Sequence, residues 1–469
     1  MGARIFLSYA GEDVGRVKHH YKQLKDAGFD PWMDGVNLQA GQDWEREIKE
    51  SIRLSDIVIF FISRNANRND GYFQREILHV LEILKSPGKH MVVIPACLDD
   101  CPLPVGLERL QKANLYEKGG WKKLVRDINK LTNKTRVEVN RARNLSIGTN
   151  VLELPCFFPA ISSTAKSTLS VIDHLALLIS FKQPNFLISA FDIHDLLKRN
   201  QQTSRAVMDL IYKAYGGKSV ILLDSGNYEK YWRKLKRGWT ARKFIEVFRY
   251  LPIELAFCYD NLKPSEDRDQ VIREIEKSLR RDQKSTSLQY ILPIVHSKDP
   301  KYVPYICQEV VSHLKPLLIA VPERELGEGI FKRAETIVAV RKALDSTGAY
   351  CPLHILGTGN PLSILLFAAC GADSFDGLEW CQTSVDKETG RLYHSQLADL
   401  FLHQSQFGKT EGLGFAAKTL MHNLTFYQEW MRMIRVNVEK GNLHDMLKKY
   451  FPRRAFDELK GRFPEVLKV

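Results

Sequence analysis

The chain has 469 residues, 44% hydrophobic and 26% charged, with a formal net charge of +13, a pI near 9.2 and a mean hydropathy of -0.25. That balance describes a soluble globular protein, and the length exceeds one ordinary core, so two or three domains are expected. No run of about eighteen uncharged apolar residues occurs, which excludes a membrane-spanning helix. The start of the chain, MGARIFLSYAGED, turns acidic before a signal-peptide core can form. Gly2 also lacks the Ser/Thr of a myristoylation pattern. Eight cysteines are scattered, and only Cys97 and Cys101 are close, without a second pair nearby. Neither a zinc site nor a disulfide framework follows, and a cytoplasmic location is expected.

The first 135 residues alternate short apolar runs with amphipathic stretches, the pattern of a parallel sheet flanked by helices. Residues 5–9 are predicted as a strand and 16–27 as a helix closed by Gly28. A strand at 29–33, a helix at 44–54 and a buried strand at 57–63 follow. Then come a helix at 73–84, a buried strand at 90–96, a fifth strand at 113–116 and an amphipathic helix at 118–133. In 73–84, Phe73, Ile77 and Val80 make the buried stripe and Glu76 is expected to point elsewhere. The polar, aperiodic stretch 136–150 reads as a linker.

Strand and helix signals alternate again over 151–435, a length that favours a (β/α)8 barrel. Candidate strands are 186–189, 219–223, 254–258, 289–295, 317–321, 354–356 and 374–375. Barrel active sites sit just beyond such strands. Residues 436–469 read as a helical appendage. The fold class is therefore α/β, a flanked parallel sheet followed by a barrel. Within 230–249 (KYWRKLKRGWTARKFIEVFR), Arg233, Lys234, Lys236, Arg237, Arg242 and Lys243 interleave with Tyr231, Trp232 and Trp239. Cations suit phosphates and aromatic faces suit unstacked bases. A solvated helix face with inward-packed aromatics fits the same residues, and both readings stand.

Three ordered segments of the first part resemble the TIR family: FLSYAGED (6–13), GFDPWMDGVNLQAGQDWEREIKESIRLSDIVIFFIS (28–63) and GYFQREI (71–77). The resemblance implies a flavodoxin-like sheet, self-association through this domain, and cleavage of the nicotinamide–ribose bond of NAD+. NAD+ is then a consumed substrate rather than a cofactor, in keeping with the lack of a GxGxxG loop. The leaving pyridinium is already charged, so one carboxylate that stabilises the ribosyl cation suffices. Glu76 matches the family's catalytic position, and Ser8, Tyr9, Asp13, Trp32 and Trp44 stand where NAD+ contacts are expected. Either tryptophan fits a core or interface position equally well.

Four segments of the second part resemble tRNA-guanine transglycosylases, nearer to archaeal-type and DNA-acting members than to bacterial ones. They are ILLDSGNYE (221–229), PIELAFCYD (252–260), PLHILGTGNPLSILLFAACGADSFDG (352–377) and HNLTFYQEWMRMIR (422–435). The resemblance implies exchange of a guanine for a 7-deazaguanine-type base in tRNA, other RNA or DNA, by a double displacement using two carboxylates. Asp376 would be the nucleophile and Asp224 the general acid/base. Asp260 and His296 would meet the purine edge and Tyr228 would stack on the base. Capping or turn roles fit the aspartates singly. The family's zinc cysteines are missing, since 393–421 contains none although His422 is present, so structural zinc is not expected. His296–Ser297 replaces a Gln-Gly pair, and VPERE (321–325) replaces a glycine-rich loop. Taken together, these readings predict a prokaryotic-style immune or stress effector that cleaves NAD+ under control of a nucleobase-handling barrel. The rivals are a base-exchange enzyme with a regulatory TIR domain and a non-enzymatic TIR adaptor.

Overall fold

The computed structural model describes residues 3–38, 43–53, 55–66, 72–84, 91–134, 141–232, 238–248, 251–284, 290–464 and 466. The chain divides into two compact units, Met1–Glu138 and Val139–Val469.

In the first unit, β1 (Arg4–Tyr9), β2 (Asp30–Trp32), β3 (Ile57–Ile62), β4 (Val92–Cys97) and β5 (Ala113–Asn114) form one parallel sheet in the order β2-β1-β3-β4-β5. The central β3 is buried at every position because helices cover both faces of the sheet. Its alternate side chains feed separate cores, Ile57, Ile59 and Phe61 on one face and Val58, Phe60 and Ile62 on the other. The helices are α1 (Val14–Asp26), α2 (Asp34–Asn37), α3 (Trp44–Arg53), α4 (Tyr72–Leu84) and α5 (Gly120–Lys134). Gly28, at φ +86°, ends α1 in the left-handed conformation that glycine adopts without strain. Phe73, Ile77 and Val80 of α4 are buried as the periodicity predicts. Glu76 is buried as well, at 8% exposure, which corrects the expectation that it points away from the core.

The second unit opens with a hairpin, β6 (Asn144–Ile147) and β7 (Asn150–Glu153), of which β6 and the first residue of β7 fall in the stretch 136–150 expected to be a linker. Ile147, Leu152 and Leu154 pack with Val220, Leu255 and Leu318, which lie at or just before strand starts, so the hairpin covers the N-terminal end of the barrel. A two-stranded cap with few apolar residues carries almost no periodicity, while residues 136–140 of the expected linker lie outside the described residues and the two units divide at 138/139.

Eight strands follow: β8 (Cys156–Ile161), β9 (Asn185–Ser189), β10 (Val220–Asp224), β11 (Leu255–Phe257), β12 (Tyr290–Leu292), β13 (Ile319–Pro322), β14 (Leu353–Leu356) and β15 (Ser374–Gly377). They form one parallel sheet in the order β12-β11-β10-β9-β8-β15-β14-β13. A parallel bridge between Ile294 and Ala320 joins the two edges, with Val295 N–H donating to the Ala320 carbonyl at 2.8 Å. The eight-stranded sheet is thus a nearly closed barrel. Every barrel strand except β8 was anticipated. Proline is disfavoured in a central strand, yet Pro159 sits in β8 opposite Gly377 of β15.

Around the barrel run α6 (Val171–Ser180), α7 (Ala190–Arg199), α8 (Gln201–Gly216), α9 (Asn227–Trp232), α10 (Ala241–Phe248), α11 (Arg268–Lys284), α12 (Val303–Leu314), α13 (Gly329–Asp345), α14 (Pro361–Ala369) and α15 (Glu379–Gln382). A short antiparallel pair, β16 (Thr383–Asp386) and β17 (Arg391–His394), leads to α16 (Phe415–Lys440), α17 (Leu443–Tyr450) and α18 (Arg453–Arg462). The expected boundary at residue 435 falls within α16. Leu447, Phe456 and Leu459 join the same core as the barrel helices, so the C-terminal helices are part of this unit rather than an appendage. No helix among the described residues is long and apolar enough to cross a membrane.

Candidate active sites

In the first unit, β1 and α4 bring two of the sequence candidates together. The hydroxyl of Ser8 donates to Oε2 of Glu76, and both residues are buried. Burial pushes the Glu76 carboxyl up to about 8; the Ser8 bond opposes this and the charge of Asp34 adds to it. The neighbouring Tyr9 hydroxyl donates to Oδ1 of Asp34, which also accepts from the Gly35 N–H at 2.7 Å. Burial and then Asp34 push the Tyr9 phenol well above its ordinary range. Two carboxylates, a serine and a tyrosine are therefore gathered in one hydrogen-bonded cluster. Asp34 was missed; its only signal was its place after Trp32 in PWMDG.

The other candidates lie differently. Asp13 is buried, accepts from the Ser63 hydroxyl and lies 3.5 Å from Arg16, so its carboxylate serves the fold of the loop. The Trp32 ring stacks on Phe6 at 5.2 Å between centroids, which favours the packing alternative. Trp44 stands 51% exposed at the start of α3.

Residues 5–128 match the family model of the TIR domain. The N-terminal unit is a TIR domain. Enzymatic TIR domains act on NAD+ as substrate without a separate cofactor, and TIR domains self-associate. No curated protein matches the chain.

The second unit gathers polar side chains where the barrel strands end, the position at which barrel sites form. Asp224 ends β10, Asp260 follows β11, His296 follows β12, Glu323 and Glu325 follow β13, and Asp376 lies in β15. The imidazole of His296 is held between two carboxylates, with Nε2 2.8 Å from Asp260 Oδ2 and Nδ1 2.7 Å from Glu325 Oε1. Burial alone would depress this imidazole, but the bonds to Asp260 and Glu325 outweigh it and lift it to about 9. Asp260 Oδ1 accepts from the Ser225 hydroxyl at 2.7 Å and the Asn227 amide at 3.1 Å. Burial works against its charge, yet the bonds from His296, Ser225 and Asn227 hold Asp260 below the usual carboxylate range. Both Asp260 oxygens are thus engaged by the protein's own donors.

Asp224 is different. Burial, then the charges of Glu229, Asp260 and Asp376, raise it well above an ordinary aspartate, against a single N–H from Gly226 at 3.0 Å. Its surroundings favour the protonated form over the charged one. Asp376 Oδ1 accepts from His354 Nε2 at 3.0 Å and from the Gly357 N–H at 2.9 Å. No hydrogen bond among the described residues holds its Oδ2. Gly359 and Gly377 permit the close approach here, because a Cβ on Gly377 would lie 2.6 Å from the Gly359 Cα. Burial pushes Glu229 and Glu379 each up to about 7, with Asp192 adding to the first and Asp376 and Glu323 to the second. Tyr228 is 39% exposed, and the Arg324 guanidinium lies 6.0 Å from its ring centroid. His354, Glu325 and Glu379 were not singled out in the sequence; each is a polar residue among apolar or charged neighbours, without a spacing signal.

In the basic segment, Arg233, Lys234, Lys236 and Arg237 lie outside the described residues. Trp239 is buried and its Nε1–H donates to the Ser225 carbonyl at 2.9 Å, so this aromatic packs inward as the alternative reading expected. Arg242, with a side chain 91% exposed, faces solvent 3.7 Å from Glu246, and Lys243 lies on the same helix, α10. All eight cysteines are buried and free. Among the described residues no group of three or more His, Cys, Asp or Glu is placed to hold a metal ion. His422 is buried and its Nε2 meets the Val385 carbonyl at 2.8 Å.

The His296 arrangement carries a stability prediction. An imidazole near 9 in the fold and about 6.5 unfolded stabilises fully below the lower value and loses that contribution as pH rises through about 9. His296→Ala removes the imidazole shared by Asp260 and the half-buried Glu325 and should destabilise the barrel by about 3 kcal/mol at neutral pH. Urea unfolding followed by barrel tryptophan fluorescence at pH 6, 7.5 and 9 checks both. A variant as stable as wild type at pH 6 would refute the pairing.

Proposed function

We propose that the chain is a cytoplasmic effector whose TIR domain cleaves NAD+ under control of a transglycosylase-like barrel. The barrel binds a purine or 7-deazaguanine-type base, free or presented by tRNA, other RNA or DNA. The observation that carries the reading is the Glu76 carboxyl, buried, hydrogen-bonded by Ser8 and raised by burial and by Asp34. Strongly shifted carboxyls in clefts are the groups enzymes use. In the roles proposed, Glu76 stabilises the ribosyl cation, while Ser8 and Tyr9 shape the nicotinamide end of the cleft. Trp44 offers an exposed face, and self-association completes the site.

At the barrel mouth, Tyr228 stacks on the base and Asp260 with His296 meets its edge. Control requires that the ligand bind one state better than another. Moving from idle to active takes about 5.5 kcal/mol of such preference for a complete reversal. The test is NAD+ consumption, followed as nicotinamide release, with and without tRNA, duplex DNA and 7-deazaguanine bases. Turnover indifferent to all of them removes the coupling. No turnover under any of these conditions, including at high protein concentration, favours the non-enzymatic adaptor.

A second reading, base exchange by the barrel with a regulatory TIR domain, is favoured by Asp224, raised by burial and by neighbouring carboxylates that include Asp376, and by an Asp376 Oδ2 that no described residue holds. One acid and one nucleophile are what a double displacement at an anomeric carbon needs. Nucleic-acid contact is assigned to Arg233, Lys234, Lys236, Arg237, Arg242 and Lys243. Changing Lys234, Lys236 and Arg237 together to alanine should weaken tRNA or DNA binding and lower its log–log salt slope by about 2–3. Unchanged binding in a salt titration would exclude this segment.

A further inference from the structure

We propose that His354 is the positioning residue of the Asp376 carboxylate, holding Oδ1 so that Oδ2 alone faces the barrel mouth. The inference rests on the reading of Asp376 as the group that meets substrate. His354 is wholly buried inside the barrel, with its ring 5.3 Å from that of Phe257 and 6.2 Å from that of Phe158. A buried imidazole among aromatic rings must find partners for both nitrogens. It finds them along one level of the barrel. Register pairs Cys156 of β8 with Ser374 of β15, and Ser374 with His354 of β14. Asp376 lies two residues beyond Ser374 on the same face of its strand.

The chain of contacts has a direction. The Cys156 sulfur lies 3.5 Å from Ser374 Oγ, which lies 2.7 Å from His354 Nδ1. Burial pushes the Cys156 thiol up to about 12, so it keeps its proton and donates to the hydroxyl. The hydroxyl proton then turns to Nδ1, and the ring carries its own proton on Nε2. That proton is aimed at Asp376 Oδ1, 3.0 Å away, and the Gly357 N–H supplies a second donor to the same oxygen at 2.9 Å. Oδ1 is therefore saturated and the rotamer of the carboxylate is set. The other oxygen keeps its lone pairs for the mouth. Such supporting bonds hold a reacting group within the narrow geometry an attack requires.

Two amide substitutions separate positioning from packing. In His354→Gln the side-chain N–H reaches the place of Nε2, and in His354→Asn it reaches only the place of Nδ1. Full-length wild type and both variants are assayed for incorporation of labelled guanine into tRNA and duplex DNA, and their crystal structures are compared. The expected result is a kcat within about tenfold of wild type for the glutamine variant. The asparagine variant should lose about 10²-fold, with KM little changed in both. The Asp376 rotamer should be kept with glutamine and lost with asparagine. An Asp376 that keeps its rotamer and kcat in the asparagine variant overturns the proposal, as does one that swings away in the glutamine variant. If asparagine prevents folding, the glutamine variant decides alone by the same criteria. Wild type that incorporates no base removes the reading of Asp376 as nucleophile, and the rotamers then decide the positioning.

Discussion

Glu76→Gln is expected to lower nicotinamide release from NAD+ by about 10²–10³-fold or more while making the TIR domain more stable at pH 8. The loss follows from removing the carboxylate assigned to the developing ribosyl cation, the scale seen when a single preorganised electrostatic group is deleted. The gain in stability follows from linkage. A carboxyl near 8 in the fold, against 4.5 for the free group, keeps a proton that the unfolded chain releases. The folded state therefore loses stability as pH rises from about 4.5 to about 8, and at pH 8 the penalty is a few kcal/mol. Glutamine is neutral throughout and escapes it, and its amide can still meet the Ser8 hydroxyl. Thermal unfolding of wild type and variant at pH 5 and pH 8 reads the second effect, and chromatography of nicotinamide reads the first. Wild-type turnover should also climb with pH toward about 8, because the ionised carboxylate is the working form. A Glu76→Gln variant that still cleaves NAD+, or a pH profile flat from 5 to 9, would sink the assignment.

On the base-exchange reading, Asp376→Asn should abolish the exchange, by on the order of 10⁴-fold or more, the range in which loss of a covalent nucleophile falls. The amide is nearly isosteric and leaves the Gly357 N–H facing an oxygen, so the barrel should keep its fold. What disappears is a charged oxygen able to form the glycosyl–enzyme bond. Asp224→Asn should be milder on the first half of the reaction if the leaving base is already a good leaving group. It cannot serve as acid and base in turn. Labelled guanine incorporation into tRNA and duplex DNA measures both variants. NAD+ cleavage by Asp376→Asn then separates two kinds of control. If ligands still activate the TIR domain, the barrel is a sensor; if they do not, base exchange itself is the trigger. Base exchange that survives the substitution removes Asp376 from the mechanism.

Much of the fold was legible because both units are built from parallel strands buried on two faces, which appear as apolar runs between amphipathic helices. The run 57–62 is a strand of that kind, and its identification needed no partner. The strand at 156–161 was hidden by Pro155 and Pro159, whose cost in a sheet depends on where the missing N–H points. The hairpin at 144–153 was hidden because its burial comes from the barrel end it covers. Arg141 illustrates the same limit. It stands in a polar stretch, yet its Nε meets the buried Asp373 at 2.8 Å, just before a strand more than two hundred residues away.

The sequence by itself determined the two-part organisation, most of the strand positions and the placement of the candidate aspartates and glutamate on strand ends and a helix. Local periodicity and short ordered motifs carry that information. Only the tertiary structure decided the state of those groups. It buried Glu76 against Ser8 beside Asp34, spent Asp13 and Trp32 on packing, engaged both oxygens of Asp260 with His296, Ser225 and Asn227, and left Asp376 with one free oxygen behind His354. The physical reason is that proton affinity and hydrogen-bond capacity depend on which distant side chains share a desolvated space, and no spacing along the chain records that.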